Sequence, residues 1–251
     1  MSTLHQGIST ISGIERRAQL RAKIKKGELV IAPGVFEMIS AKVADRMGFD
    51  ALYMTGYGTV ASYLGLPDAG IATYSDMVNR VTQFASITAT PMICDGDTGY
   101  GGLLNVMHTV RGYEAAGACV IQLEDQEFPK KCGHTPGRRV IPMADMVRKI
   151  QVAVDARESK DFLIIARTDA RTTLGLDEAL RRDGGTVYHA RLLDTRLSWQ
   201  FNLRQRLRLA LQYGTTDFDL SLNPGQTDAE LSDFGTQLVY SYKINPRTVF
   251  Y

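Results

Sequence analysis

Up to about residue 182, two apolar patterns alternate along the chain. Short, nearly unbroken apolar runs end in polar side chains, and longer stretches with apolar positions three and four apart separate them. Ser12 and Glu15 form a capping box ahead of "IERRAQLRAKIKK", which stops at Gly27. "ELVIAPG" reads as a strand, "FEMISAKVADRM" as a helix closed by Gly48, and "ALYMTG" as a second strand with a glycine-punctuated loop after it to about Asp68. Ser75 opens the helix "DMVNRVTQFASI", and "PMICDGDTG" is a third strand ending in acids. The helix "LLNVMHTVRGYEAAG", the strand "CVIQLED", the helix "MADMVRKIQVAVDAR" and the strand "FLIIARTDA" follow, and "LDEALRR" starts one more helix. Apolar strands separated by helices imply a buried parallel sheet. A doubly wound sheet and a (β/α)8 TIM barrel both fit. The barrel is favoured because polar residues close nearly every strand (Thr55, Asp95 and Asp97, Glu124, Arg167), and strand ends of a barrel converge on one face.

After Arg182 the pattern changes. "RLLDTRLSWQFNLRQRLRLALQYG" alternates with period two, Leu197, Trp199, Phe201 and Leu203 on one parity and Leu207, Leu209, Leu211 and Tyr213 on the other, with "NLRQ" as a turn. "TQLVYSYKINPRTVFY" repeats the idea around "KINPR". Eight of the nine lysines precede residue 183. The expectation is therefore an α/β chain of two parts: residues 1–182 as an incomplete (β/α)8 barrel of about five βα units, and residues 183–251 as a β-hairpin-rich segment of different origin. The abrupt switch without a linker points to a foreign fusion or a chimera.

Composition narrows the function classes. The 251 residues are 44% hydrophobic and 22% charged, ordinary for a globular chain, and the formal charge is +2. So even a balance predicts no strong attraction to nucleic acid or to an anionic membrane. No basic-then-apolar leader opens the chain, and no stretch approaches the roughly 20 apolar residues of a membrane helix. Cys94, Cys119 and Cys132 form no CxxC pair and leave one thiol odd, which predicts reduced thiols in a cytoplasmic protein.

Several residues carry possible chemistry. Asp95 and Asp97 lie two apart at a strand end, where an extended backbone would point both carboxylates the same way, toward a hard divalent cation or simply into a solvated turn. Glu124 ends the next strand after an apolar run. The Arg167 guanidinium suits a bidentate carboxylate or a structural ion pair. "MTGYG" at Thr55–Gly58 offers backbone N–H groups at a strand end. Cys132 sits in "EFPKKCGHTPGRR" with Lys130, Lys131 and His134 beside it, and nearby positive charge favours a thiol that exchanges protons near neutral pH. The 17 residues between Glu124 and Pro142 are long for a βα connection and read as a lid or as a basic surface loop.

"KKCGH" after "QLEDQ", with "CDGDTGYG" before it and "ARTDA" after it, resembles the isocitrate lyase and phosphoenolpyruvate (PEP) mutase superfamily from about residue 13 to about 182, and most of all its methylisocitrate and 2,3-dimethylmalate lyases. The resemblance implies a (β/α)8 barrel that cleaves a small 2-hydroxy di- or tricarboxylate to pyruvate or glyoxylate. Mg2+, or Mn2+ in its place, would be held by Asp95, Asp97 and Glu124, directly or through water. Thr55, Gly56 and Tyr57 would meet a substrate carboxylate, with Asp68 in the gating region. Arg167 would bind substrate, and Cys132 would be the acid/base on a lid shaped by Lys130, Gly133 and His134. The implied partners are a small carboxylate and further copies of the chain. The family's sixth strand, with its base-supporting glutamate, has no counterpart here. An oxaloacetate decarboxylase needing the metal but not the thiol, and an inactive fusion, are the competing readings. Residues 186–251 resemble, more weakly, hairpins of an outer-membrane-type β-barrel.

Overall fold

The structure, a computed structural model, describes residues 11–133 and 135–175 with their side chains, and beyond them the backbone of residues 181–182, 185–186, 188–202, 205–218, 230–245 and 248–250. The chain divides into two compact units, Met1–Leu174 and Gly175–Tyr251.

In the first unit, helix α1 (Gly13–Lys25) starts at the Ser12–Glu15 capping box. Strand β1 is only Gly34–Val35, followed by α2 (Met38–Arg46), β2 (Leu52–Met54) and α3 (Gly56–Leu64). Then come α4 (Tyr74–Ile87), β3 (Met92–Asp95), α5 (Leu103–Ala115), β4 (Val120–Glu124), α6 (Met143–Ala156), β5 (Leu163–Arg167) and the short α7 (Ala170–Thr173). The five strands form one parallel sheet in chain order, with Tyr53 beside Ile93, Ile93 beside Val120 and Ile121 beside Ile164. Sequential order with a helix between neighbours is the arrangement of an opened barrel.

Three local expectations need correction. The run 28–34 supplies one residue to a two-residue strand, because Pro33 withholds a ladder N–H. The glycine-punctuated loop after β2 is largely helix α3, closed by Gly65. The cap of α4 is Thr73, whose hydroxyl accepts from the Asp76 amide while the Asp76 carboxylate accepts from the Thr73 amide. Ser75 lies inside that helix.

The core packs helices onto the sheet. Leu52, Met54, Met92, Ile121 and Leu123 from the strands meet Met77, Val81, Phe84, Val106, Val110 and Tyr113 from α4 and α5. Helix α1 seals the end opposite the strand C-termini. Buried Arg16 donates to the carbonyls of Ala85 (3.0 Å) and Thr88 (2.7 Å), and Arg17 to those of Glu114 (3.2 Å) and Ala118 (3.1 Å). These carbonyls precede β3 and β4, so the strands run away from α1 and toward the polar end.

The second unit contains β6 (Arg181–Arg182) paired antiparallel with β7 (Gly185–Thr186), where the helix begun by "LDEALRR" was expected; residues 176–180 of that run lie outside the described residues. A four-stranded antiparallel sheet of order β11-β10-β9-β8 comprises β8 (Tyr188–Asn202), β9 (Gln205–Phe218), β10 (Glu230–Asn245) and β11 (Thr248–Phe250). Among the described residues, no helix is long and apolar enough to cross a membrane.

Candidate active site at the strand ends

The C-terminal ends of β2 to β5 bring the predicted site residues together. Asp95 closes β3, and the chain leaves the strand at Gly96. Asp97 has a left-handed backbone, φ 49°, and its amide donates back to Asp95 Oδ1 at 2.9 Å. This turn, rather than the extended period of two expected from the spacing, sets both carboxylates at the sheet end. The Glu124 amide donates to the Asp97 carbonyl at 2.8 Å, which ties the end of β4 to that turn.

The Arg167 guanidinium, at the end of β5, donates from Nη1 to Glu124 Oε2 at 3.1 Å and from Nη2 to Asp169 Oδ2 at 3.1 Å. Glu124 is 2% exposed, and its other oxygen, Oε1, has no hydrogen-bond partner among the described residues. Lys130 is 4% exposed, and its Nζ lies 2.5 Å from Oδ1 of Asp68 and 2.5 Å from Oδ1 of Asp97. Lys130 therefore joins the loop after β4, the loop after α3 and the turn after β3.

Four buried carboxylates, Asp68, Asp95, Asp97 and Glu124, thus face the cations of Lys130 and Arg167, with Asp169 as a further acid at the rim, while buried Lys149 donates to the Glu124 carbonyl at 3.0 Å behind them. Burial and then the neighbouring Asp95 push Asp97 up to about 7. Burial pushes Glu124 up to about 8, against the opposing pull of Arg167. Burial also raises Asp95. Burial draws the Lys130 ammonium down, but Asp97 and Asp68 outweigh it and hold the group above its ordinary value. Buried carboxyls raised in this way are stabilised either by protons or by a further cation beside them.

The donor set fits a hard divalent ion: all its ligands are carboxylate oxygens, and one of them is orphaned and buried. Among the described residues, no three His, Cys, Asp or Glu side chains stand close enough to form a complete metal cage. Mg2+ is commonly held by one or two carboxylates with waters filling its other positions, so the arrangement suits that ion better than a fully protein-ligated one.

Thr55 precedes α3 as its N-cap and makes no side-chain cap bond, which leaves the first-turn amides of α3 at the strand end. A Cβ on Gly56 would fall 2.6 Å from Asp95 Oδ2, so only glycine lets the helix start rest on that carboxylate. Exposed Tyr57 and buried Asp68 line a cavity of about 610 Å3 together with Pro67, Lys131, Cys132 and Thr135. Cys132 is half-buried there. The backbone of Gly133 lies against Arg167, since a Cβ would come within 2.7 Å of Nη2. The thiol loop and the guanidinium thus share one wall. The lysines expected to tune the thiol point elsewhere: Lys130 to the two aspartates, and Lys131 to the Gly137 carbonyl at 3.1 Å. His134 lies outside the described residues.

Sequence reasoning missed the residues that hold the loop. Gln126 donates to Asp169 Oδ2 at 2.8 Å and to the Lys131 carbonyl at 3.0 Å, and accepts from the Lys131 amide at 3.1 Å. Asp125 accepts from the Asp169 amide at 2.9 Å and from the Thr168 hydroxyl at 2.5 Å. Gln126 also bridges antiparallel to Val140, so the segment 126–140 is pinched at its base. The signal was present as "EDQ" and "RTDA", polar residues directly after two strand ends, at the positions from which barrel sites are built.

A family model described as phosphoenolpyruvate phosphomutase matches residues 20–189. The chain belongs to the PEP mutase/isocitrate lyase superfamily. It is 53% identical over 165 residues to a 2,3-dimethylmalate lyase of Eubacterium barkeri, covering 66% of this chain and 57% of that protein. To a 2-methylisocitrate lyase of Aeropyrum pernix it is 47% identical over 163 residues, covering 65% of this chain and 52% of the other. A solved phosphonopyruvate hydrolase in complex with oxalate and Mg2+ superposes with a TM-score of 0.60 at 32% identity, covering 67% of this chain and 56% of that one. The chain spans a little over half the length of these superfamily relatives.

Proposed function

We propose that residues 1–182 carry the centre of a carbon–carbon lyase acting on a small 2-hydroxy di- or tricarboxylate, of which 2,3-dimethylmalate and 2-methylisocitrate are the model substrates. The observation that carries this reading is the convergence of Asp95, Asp97, Glu124 and Arg167 from three strand ends beside a cavity walled by Cys132. The likeness to lyases of those two substrates supports it.

Asp95, Asp97 and Glu124 would hold Mg2+, or Mn2+ in its place, and the bound ion would supply electrostatic stabilisation of charge developing on substrate oxygens. Arg167, its guanidinium set by Glu124 and Asp169, would bind a substrate carboxylate and orient it. The first-turn amides of α3 at Gly56 and Tyr57 would receive a second carboxylate. In the reaction the 2-hydroxyl would give its proton to a buried carboxylate at the strand ends, the C2–C3 bond breaks, and a carbonyl forms at C2. The electron pair left on C3 takes the proton of the Cys132 thiol, so 2,3-dimethylmalate would give pyruvate and propionate. The loop 126–140 would shut water out of the cavity. Residues 183–251 would be a segment of separate origin with no part in this chemistry.

The test is pyruvate release from 2,3-dimethylmalate and from 2-methylisocitrate by the full chain with Mg2+, compared with Cys132→Ser. Loss of about 10²-fold or more is expected when the thiol acid is removed. Equal rates would remove the role of Cys132. Mg2+-dependent CO2 release from oxaloacetate, indifferent to Cys132→Ser, would select a decarboxylase instead. Absence of all three activities would select the inactive fusion.

A further inference from the structure

Lys130 is the one lysine among the described residues whose ammonium is shared by two buried carboxylates, and its two partners belong to different parts of the proposed site. Asp97 is a candidate ligand of the metal. Asp68 walls the cavity that Cys132 also walls. Lys130 itself stands two residues before Cys132, inside the loop pinched by Gln126 and Val140. The same ammonium therefore balances part of the excess negative charge and fixes the thiol loop against the floor of the site. A divalent ion entering beside Asp97 competes for that carboxylate oxygen and repels the ammonium at short range.

We infer that Lys130 is a resident counter-ion that the divalent cation must displace from Asp97, so that metal occupancy and the position of the thiol loop are linked through this one side chain. The inference rests on the metal reading of the same site. With the ion in place, Lys130 keeps Asp68 as its partner, and the segment 126–140 is held by one ion pair where there were two. Linkage works in both directions: whatever factor Lys130 takes from cation affinity, the cation takes from the hold on the loop. A purely structural ion pair would show no such reciprocity.

The experiment uses the full chain with Mg2+ alone as the probe and needs no substrate. Mg2+ affinity is measured by isothermal titration, and the rate of tryptic cleavage after Lys131 and Arg139, both exposed in the loop, is followed by mass spectrometry with and without Mg2+. In the wild type, saturating Mg2+ is expected to speed cleavage about fivefold or more, within the ordinary range of coupling. Lys130→Met, checked for fold by circular dichroism, is expected to bind Mg2+ tighter by a similar factor and to be cleaved fast at any Mg2+ level. Lys130→Arg, which keeps the cation, is expected to preserve the Mg2+ response. Wild-type cleavage unchanged by bound Mg2+ overturns the inference without recourse to any variant. So does a Lys130→Met chain whose Mg2+ affinity and cleavage response match the wild type; in both cases the metal reading survives. A wild-type chain that binds no Mg2+ overturns both together.

Discussion

The sharpest constraints are set by single atoms. A methyl group on Gly56 would meet Asp95 Oδ2 at 2.6 Å, in a buried place where the carboxylate has little room to retreat. Gly56→Ala is therefore expected to weaken Mg2+ binding by about tenfold or more while leaving the far-ultraviolet spectrum intact; unchanged titration isotherms would show that Asp95 is not held by this contact. Tyr113 offers a second case. It is fully buried, donates to the Asp95 carbonyl at 3.2 Å and lies 2.9 Å from the Tyr100 hydroxyl. Tyr113→Phe should cost about 0.5–1.5 kcal/mol in urea unfolding, the net worth of a hydrogen bond of this kind, and a neutral result would mean that water or Tyr100 compensates. At this scale the candidate site was legible in residue types: acids and a guanidinium closing apolar strands. Two things were not legible. The left-handed turn at Asp97 depends on a hydrogen bond to a side chain two residues back. The direction of the Lys130 ammonium depends on a loop from another part of the chain, which neighbours in sequence cannot disclose.

At the scale of elements, alternating apolar runs announced the strands because both faces of a parallel sheet are covered, so period-two masking is absent. Helix α3 escaped notice because Gly56 and Gly58 read as loop punctuation, although they are there for close approach to Asp95 and to Phe36 and Thr55. The start of α4 is a checkable detail. Thr73→Ala removes the acceptor for the Asp76 amide and should cost about 1 kcal/mol, whereas Ser75→Ala should be close to neutral. If Ser75→Ala is the more costly change, the cap has been misplaced. The cap also carries a pH signature. The Thr73 hydroxyl and amide hold the Asp76 carboxyl below its ordinary value. Its contribution to stability is then complete above the unfolded carboxylate pKa of about 3.9 and is lost as pH falls through the lowered folded value. Carboxyl-carbon NMR should show Asp76 titrating below an exposed aspartate, and the reverse order would contradict the capping box.

The whole molecule raises the question of edges. Among the described residues, no strand pairs with the outer side of β1 or of β5, and Ile165 on β5 is 37% exposed. Open edges of a parallel sheet recruit other chains. Sedimentation should therefore show concentration-dependent association that Ile165→Lys reduces, whereas a monomer at every concentration would mean that these edges are covered. The relatives are nearly twice as long as the stretch they share with this chain. The first unit presents the acid-rich end of the sheet, and the proposed lyase reading stands on Asp95, Asp97 and Glu124 binding a divalent ion there. Electron paramagnetic resonance of Mn2+ added to the full chain measures this directly. One bound Mn2+ per chain, lost in Asp95→Asn and in Glu124→Gln with unchanged circular dichroism, is the expected result; a wild-type chain that leaves all the Mn2+ free, or variants that bind it as the wild type does, would contradict a metal-dependent lyase centre at these strand ends.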